Sequence, residues 1–397
     1  MRHMRKARGF TFLELMVSLA LGMLVIGAGV KIFSQGVDAT WVVSQKAEMQ
    51  QDLRAVQTLV TKDISLAGAG LISGQGIALA TSGTSPVIGC DQLGVCPPNG
   101  AIKYPCAPGG GCVPTLYGIM PGPAAGIAAP GSPTKTDTIS VVYSDTFLAL
   151  NCYSATFVKP GNTVIFTGPV NPPPGTCIMP PGLTYPQPLD SKAVGLQPGD
   201  LILFTNSVGS AVGEVTNVAG AGGNPPSYTI TFADNDPLKI NQSGQSNDLT
   251  TISGFTVKTP NGPSTTGTVA NRISVITYFL KVNPDPAGLT AGTPVLMRQV
   301  NGLTAVPAAE NVVNMQFTYD TYDTAGDLLN ESNDPGQAGT VSLNLIRKIN
   351  IAHLAIRSQM AGTRSALQAT NGYQGYDVQT SISARNLSYQ NRYTFGP

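Results

Sequence analysis

Charged side chains are scarce in this chain. Lys, Arg, Asp and Glu make up 11% of the 397 residues, and the formal net charge is +1. Beyond the first eight residues no cluster of Lys or Arg occurs, which argues against electrostatic capture of nucleic acid. Histidine is nearly missing: His3 and His353 are the two present, so His-based metal centres and His-assisted nucleophiles have almost nothing to draw on. There is no P-loop, no G-x-G-x-x-G between a strand and a helix, no H-E-x-x-H and no G-x-S-x-G. No proline precedes Pro86, so nothing in that stretch forces a helix to kink. The reading is a protein that is not an enzyme and has no cofactor.

What is present is concentrated at the start. Phe10 to Val30 is an apolar run, preceded by Arg2, Arg5, Lys6 and Arg8 and interrupted by one charge, Glu14. About 20 apolar residues span a bilayer. A carboxylate at mid-bilayer costs about 2.5–3.5 kcal/mol on insertion scales, so Glu14 needs a reason to be there. A secretory signal has a shorter apolar core and a small-residue cleavage site after it. A plain membrane anchor explains the length, but neither Glu14 nor the Gly9-Phe10 junction. Past the run, Val42, Met49, Leu53, Val56, Leu59, Val60 and Ile64 recur at steps of three, four and seven among Gln45, Lys46, Glu48, Gln50, Asp52, Arg54 and Lys62. That spacing predicts an amphipathic helix with one buried face, ending at Gly68-Ala69-Gly70, where glycine supplies a C-terminal cap.

The string Gly9-Phe10-Thr11-Phe12-Leu13-Glu14-Leu15-Met16-Val17-Ser18-Leu19 closely resembles the class III leader of type IV pilins and type II secretion pseudopilins. The resemblance implies cleavage by a prepilin peptidase between Gly9 and Phe10 on the cytoplasmic side, and N-methylation of Phe10. The basic leader would stay in the cytoplasm, as the positive-inside rule expects. It also implies an assembly role for Glu14: in the family this glutamate pairs with the N-terminal amine of a neighbouring subunit, which offsets the cost of burying either charge and sets axial register.

Four stretches of the last third, Ile276–Leu280, Pro294–Gln299, Ala309–Asp320 and Ile346–Ala352, together with Arg385-Asn386-Leu387, resemble the C-terminal region of PilW-type minor pilins. That family is related in layout to the large minor pseudopilin of type II secretion. Residues 71–270 resemble no named family.

The organisation expected is a leader (1–9), a helix (10–70, of which 10–30 crosses the membrane and 31–70 is amphipathic), a Gly/Pro/Cys-rich insertion (71–136) and a β-rich head (137–397) that lies in the periplasm. The fold class is α+β: a long N-terminal helix packed on a predominantly antiparallel sheet with long Gly/Pro-rich loops, type IV pilin-like. Candidate strands are 138–143, 147–152, 200–206, 212–218, 228–233, 272–282, 295–300, 312–319, 341–356 and 378–387. They follow one another without intervening helices, which argues for antiparallel pairing.

The six cysteines, Cys90, Cys96, Cys106, Cys112, Cys152 and Cys177, all lie beyond the membrane run, where an even count favours disulfides. Short spacing makes Cys90–Cys96 and Cys106–Cys112 plausible local pairs, with Cys152–Cys177 as the third, although six cysteines allow about 15 connectivities. A metal site is the rival reading and lacks C-x₂₋₄-C spacing and nearby histidines. Two acidic loops offer calcium candidates: Asp234-Asn235-Asp236 with Asp248, and Asp320, Asp323, Asp327 and Glu331 with Asn330, Asn333 and Asp334. Neither has EF-hand spacing, and Asp and Asn are ordinary turn formers. His353 reads as a core or sheet-face histidine.

Function follows from the scaffold. The first reading is a minor pilin that starts and tips a type IV pilus. The alternatives are a tip adhesin or adhesin dock, and a type II secretion minor pseudopilin. The partners expected are other minor pilins, the major pilin, the inner-membrane assembly platform, prepilin peptidase and a tip adhesin; nucleic acid is not among them. The location expected is the bacterial inner membrane in a single pass, then the pilus on the cell surface. Adhesion and twitching motility are candidate tasks. Replacing Gly9→Ala should leave the leader attached, and intact-protein mass spectrometry reads the difference. A mature mass unchanged from wild type would remove the peptidase reading.

Overall fold

The computed structural model describes residues 10–71, 76–80, 86–90, 96–97, 102–105, 113–128, 134–145, 147–158, 162–168, 182, 187–206, 208–234, 236–249, 252, 257–259, 262–264, 268–283, 292–322, 328–335, 342–358, 375–384 and 386–387. One helix, α1, runs from Phe12 to Leu66 over 55 residues, a length of about 80 Å at 1.5 Å per residue.

Twenty-one strands follow among the described residues. The first six are β1 (Ile77–Ala78), β2 (Val87–Ile88), β3 (Ile102–Lys103), β4 (Thr115–Leu116), β5 (Ile119–Gly122) and β6 (Thr138–Ser144). Next come β7 (Ser154–Val158), β8 (Thr163–Thr167), β9 (Leu201–Thr205), β10 (Ser210–Glu214), β11 (Asn217–Gly222), β12 (Ser227–Thr231), β13 (Val257–Thr259) and β14 (Gly262–Ser264). The last seven are β15 (Val269–Asn283), β16 (Thr293–Val300), β17 (Val306–Glu310), β18 (Val312–Tyr322), β19 (Leu328–Ser332), β20 (Ile346–Arg357) and β21 (Gly375–Ser383).

Every pairing between these strands is antiparallel. A seven-stranded sheet has the order β10-β9-β15-β16-β17, with β6 on β15 and β5 on β6; two four-stranded sheets have the orders β11-β12-β8-β7 and β19-β18-β20-β21. The centre is β15, fifteen residues long. It pairs with β9 along Val269–Ile273, with β6 along Ile273–Tyr278 and with β16 along Ile276–Asn283. Ile273, Val275, Thr277 and Phe279 share one face, as expected, but Ile276, Tyr278 and Leu280 on the other face are equally buried.

Two hydrophobic cores result. The first joins the α1 stripe, β6, the middle of β15, β18 and β20; the second gathers Phe166, Phe204, Phe232, Tyr153 and their neighbours around β8, β9 and β12. The 71–136 stretch, expected to be irregular, contributes Ile77, Leu79, Ile88, Tyr104, Leu116, Tyr117, Ile119 and Met120 to the first core. Its apolar residues come in pairs between glycines and prolines, too short a run for periodicity to register.

Three strand expectations are corrected. The 341–356 strand begins at Ile346, after a 3₁₀ turn at Leu343–Leu345. Leu150–Cys152 is a 3₁₀ turn, not part of a 147–152 strand. Leu148, Ala149, Leu150 and Cys152 are all buried, and a turn can bury neighbouring positions together where a strand alternates them between faces. The 212–218 strand divides into β10 and β11 at Val215-Thr216, and the β11 ladder carries a bulge between Gly220 and Gly222.

Nothing from Phe10 to Glu48 is buried; the packed face begins at Met49 and continues through Leu53, Val56, Val60, Asp63 and Ile64 to Ala67. Full burial of such apolar side chains is worth about 1.5–3 kcal/mol each. The exception in the stripe is Asp63, 3% exposed. Its Oδ2 accepts from the Tyr278 hydroxyl at 2.6 Å and from Arg298 Nε at 2.9 Å, and Tyr143 lies against the same carboxylate. Burial and the adjacent carboxylate push the Tyr278 hydroxyl well above the usual tyrosine range.

The helix ends at Leu66, slightly before the expected glycines. Gly68, at φ +78°, donates its N–H to the Val142 carbonyl at 2.8 Å; a side chain on Gly118 would collide with the Gly68 backbone, and one on Gly68 with Leu387. Asn386 Nδ2 then reaches the Ser65 and Ala67 carbonyls at 3.3 and 3.4 Å. Replacing Asp63→Ala leaves the Tyr278 hydroxyl without its acceptor and leaves Arg298, 23% exposed, with the longer 3.2 Å bond to that hydroxyl. It should cost about 3 kcal/mol, the lower end for breaking a buried pair, in the denaturant unfolding of the full chain in detergent.

Candidate assembly site

The first turn of α1 is closed by its own side chains. Thr11 occupies the N-cap with extended backbone, and Glu14 sits three residues on. The Glu14 N–H donates to Thr11 Oγ1 at 3.3 Å, and Glu14 Oε2 accepts from the Thr11 N–H and hydroxyl at 3.1 Å each. This is a capping box, which satisfies two of the helix's free N–H groups reciprocally. The carboxylate also lies where the helix dipole favours negative charge. The pattern Thr-x-x-Glu announces such a cap in the sequence.

Around this polar turn the surface is apolar and open. Phe10 is 84% exposed, and Phe12, Leu13, Leu24, Ile32 and Phe33 are similarly uncovered. The helix is long and apolar enough to cross a membrane, with a mean hydropathy of 2.1 over its most apolar eighteen residues, none of them buried. Gly22, Gly27 and Gly29 have no neighbouring side chain, so another helix could approach the backbone there.

The other candidate residues lie far from this turn in the fold. Cys90 and Cys96 form a disulfide. Cys152 is also disulfide-bonded, while Cys106, Cys112 and Cys177 lie outside the described residues, as does Gly9. Asp320 Oδ1 accepts from the Glu331 N–H and from Asn350 Nδ2, both at 3.0 Å, and Oδ2 lies 3.5 Å from Lys348 Nζ. Asp323 and Asp327 lie outside the described residues. In the first acidic loop Asp234, Asp236 and Asp248 each accept backbone N–H groups from turns nearby. Among the described residues no group of three or more His, Cys, Asp or Glu is placed to hold a metal. His353 is a sheet-face residue whose Nδ1 is 2.6 Å from Asp377 Oδ2.

The profile described as the prokaryotic N-terminal methylation motif matches residues 4–30. The chain is type IV pilin-like. It is 34% identical over 62 residues to the pilin-like protein PilA3 of Thermus thermophilus, a match that covers 16% of this chain and 27% of that protein's length. No solved structure matches the chain at comparable significance. The α+β architecture, one long apolar helix followed by antiparallel sheets, fits a type IV pilin-like fold.

Sequence reasoning missed two features of this pilin-like helix. One is the Thr11–Glu14 cap. The other is Asp63, whose signal was its position on the apolar stripe between Val60 and Ile64. Replacing Thr11→Ala should fray the first turn by about 1 kcal/mol, seen as faster amide exchange at Leu13 to Leu15 in micelles while the head stays unchanged.

Proposed function

We propose that this protein is a minor pilin of the PilW type that helps to initiate a type IV pilus and occupies its tip, without a catalytic role. The observation that carries the reading is α1 itself: apolar from Phe10 to Val30 with Glu14 as the single carboxylate of that run, without a buried residue before Met49, and fastened to a large β-rich head from Met49 onward. A helix that exposes this much apolar surface needs a membrane or other helices around it. The four PilW-like strings fall on β15, β16, β17 with β18, and β20; β15 and β16 hold Asp63 through Tyr278 and Arg298, and β17 and β20 lie against α1.

On this reading prepilin peptidase cuts between Gly9 and Phe10 and methylates Phe10. The helix then moves from the inner membrane into a filament, and the head stands in the periplasm before reaching the cell surface. Glu14 exchanges its cap on Thr11 for the amine of a neighbouring pilin. A head of this bulk obstructs close stacking along a shaft and is accommodated at the end, where nothing lies above it. Other minor pilins, the major pilin, the assembly platform and a tip adhesin are the partners.

Immunogold labelling is expected at pilus ends; labelling spread evenly along shafts would refute the tip assignment. In the same strains Glu14→Ala and Glu14→Gln should both leave processing intact and strongly reduce incorporation, as measured by immunoblotting sheared pili. Glutamine preserves the capping box, so a Gln variant that assembles like wild type would assign Glu14 to capping alone.

A further inference from the structure

The seam between the two cores holds an acid pair with no cation beside it among the described residues. Glu214 ends β10 and is 2% exposed; Asp236 opens the turn through Asn241 and is 4% exposed. Asn241 clamps the Glu214 backbone on both sides: the Glu214 N–H donates to Asn241 Oδ1 at 2.8 Å, and Asn241 Nδ2 donates to the Glu214 carbonyl at 2.7 Å. These two bonds fix the backbone at Glu214 against the turn that carries Asp236. The two carboxyl groups meet within hydrogen-bond reach, and the Leu238 N–H turns toward Glu214. Asp236 accepts from the N–H groups of Ile240 and Asn241, at 2.8 Å each. Tyr104, from the 102–105 segment, is buried nearby, and its hydroxyl has no hydrogen-bond partner among the described residues. Lys239, in the same turn, is exposed, and among the described residues no Lys or Arg pairs with either acid.

Two bare carboxylates in contact, out of water and without a cation, repel each other. A single proton between them turns the contact into a charge-assisted hydrogen bond. Asp236 already has two backbone donors, which favour its ionised form, so the proton belongs on Glu214. We propose that Glu214 and Asp236 share one proton at neutral pH and form an acid-tightened clasp that holds β10 to the 236–241 turn at the seam between the cores.

Burial and the adjacent Asp236 push Glu214 up to about 9 from the ordinary 4.5. Between those values the folded chain keeps a proton that the unfolded chain has released. Stability therefore falls as pH rises, by about tenfold in the folding equilibrium per pH unit, and this dependence ends once the folded pair ionises. The test is denaturant unfolding of the full chain in detergent from pH 5 to pH 10 at unit intervals, on the order of one proton's linkage. Wild type should lose about tenfold per unit relative to Glu214→Gln, whose amide donates to Asp236 at any pH. An identical slope in the two proteins would sink the clasp. Should the variant fail to fold, infrared spectra of the wild type decide: a protonated-carboxyl band at neutral pH that vanishes in strong alkali supports the shared proton. No such band, or stabilisation by calcium that is lost in Asp236→Asn, overturns it, because the pair would then be ionised and hold a cation.

Discussion

A single carboxylate on the helix fixes where the head sits. The apolar contacts from Met49 to Ala67 supply the attraction between α1 and the sheets, but burial of apolar area is non-directional and by itself tolerates a slide of the helix along its groove. Asp63 removes that freedom. It accepts from Tyr278 on β15 and Arg298 on β16 at once, and hydrogen bonds weaken steeply when misaligned. Tyr278 and Arg298 face each other across the β15–β16 ladder, so the pairing of two central strands and the position of the helix are set by one cluster.

The other constraints radiate from the same place. The strand that holds Asp63 through Tyr278 is also the one that receives β9, β6 and β16. At the end of α1, Gly118 lies so close to the Gly68 backbone that it has no room for a side chain, and Asn386 returns from the far end of the chain to meet the last helical carbonyls. Sequence-distant segments therefore converge on the last turns of one helix. The Arg385-Asn386-Leu387 string has a structural use in two of its members: Asn386 as a cap and Leu387 as packing against Gly68.

Much of this was legible because two simple periods dominate it. The 3.6-residue repeat from Met49 to Ile64 identified the buried helix face, and the alternation in β15, β16, β18 and β20 identified the main strands. The leader string stood out because a charge in an apolar run is costly and therefore rare. What escaped lacked period or length. The pairs of apolar residues between 77 and 116 form two-residue strands, too short to show an alternation. The Leu148–Cys152 run was read as a strand because apolar composition alone does not separate a buried turn from a buried strand. Glu214 and Asp236 could not be matched in advance, since their meeting depends on how β10 folds back against the following turn. The acidic residues of the 234–248 loop suggested a ligand site by composition, while in the fold they hold turns through backbone N–H groups.

The way the head is attached determines how it bears load. The seam from Met49 to Ala67 runs parallel to α1, and the helix continues straight out of it toward Phe12. A pull along that axis acts on the seam in shear. All of its contacts resist together, including the Asp63 cluster and the Asn386 cap, whereas a sideways force would peel them apart one at a time from Met49. The attachment is mechanically anisotropic: stiff along the helix and compliant across it.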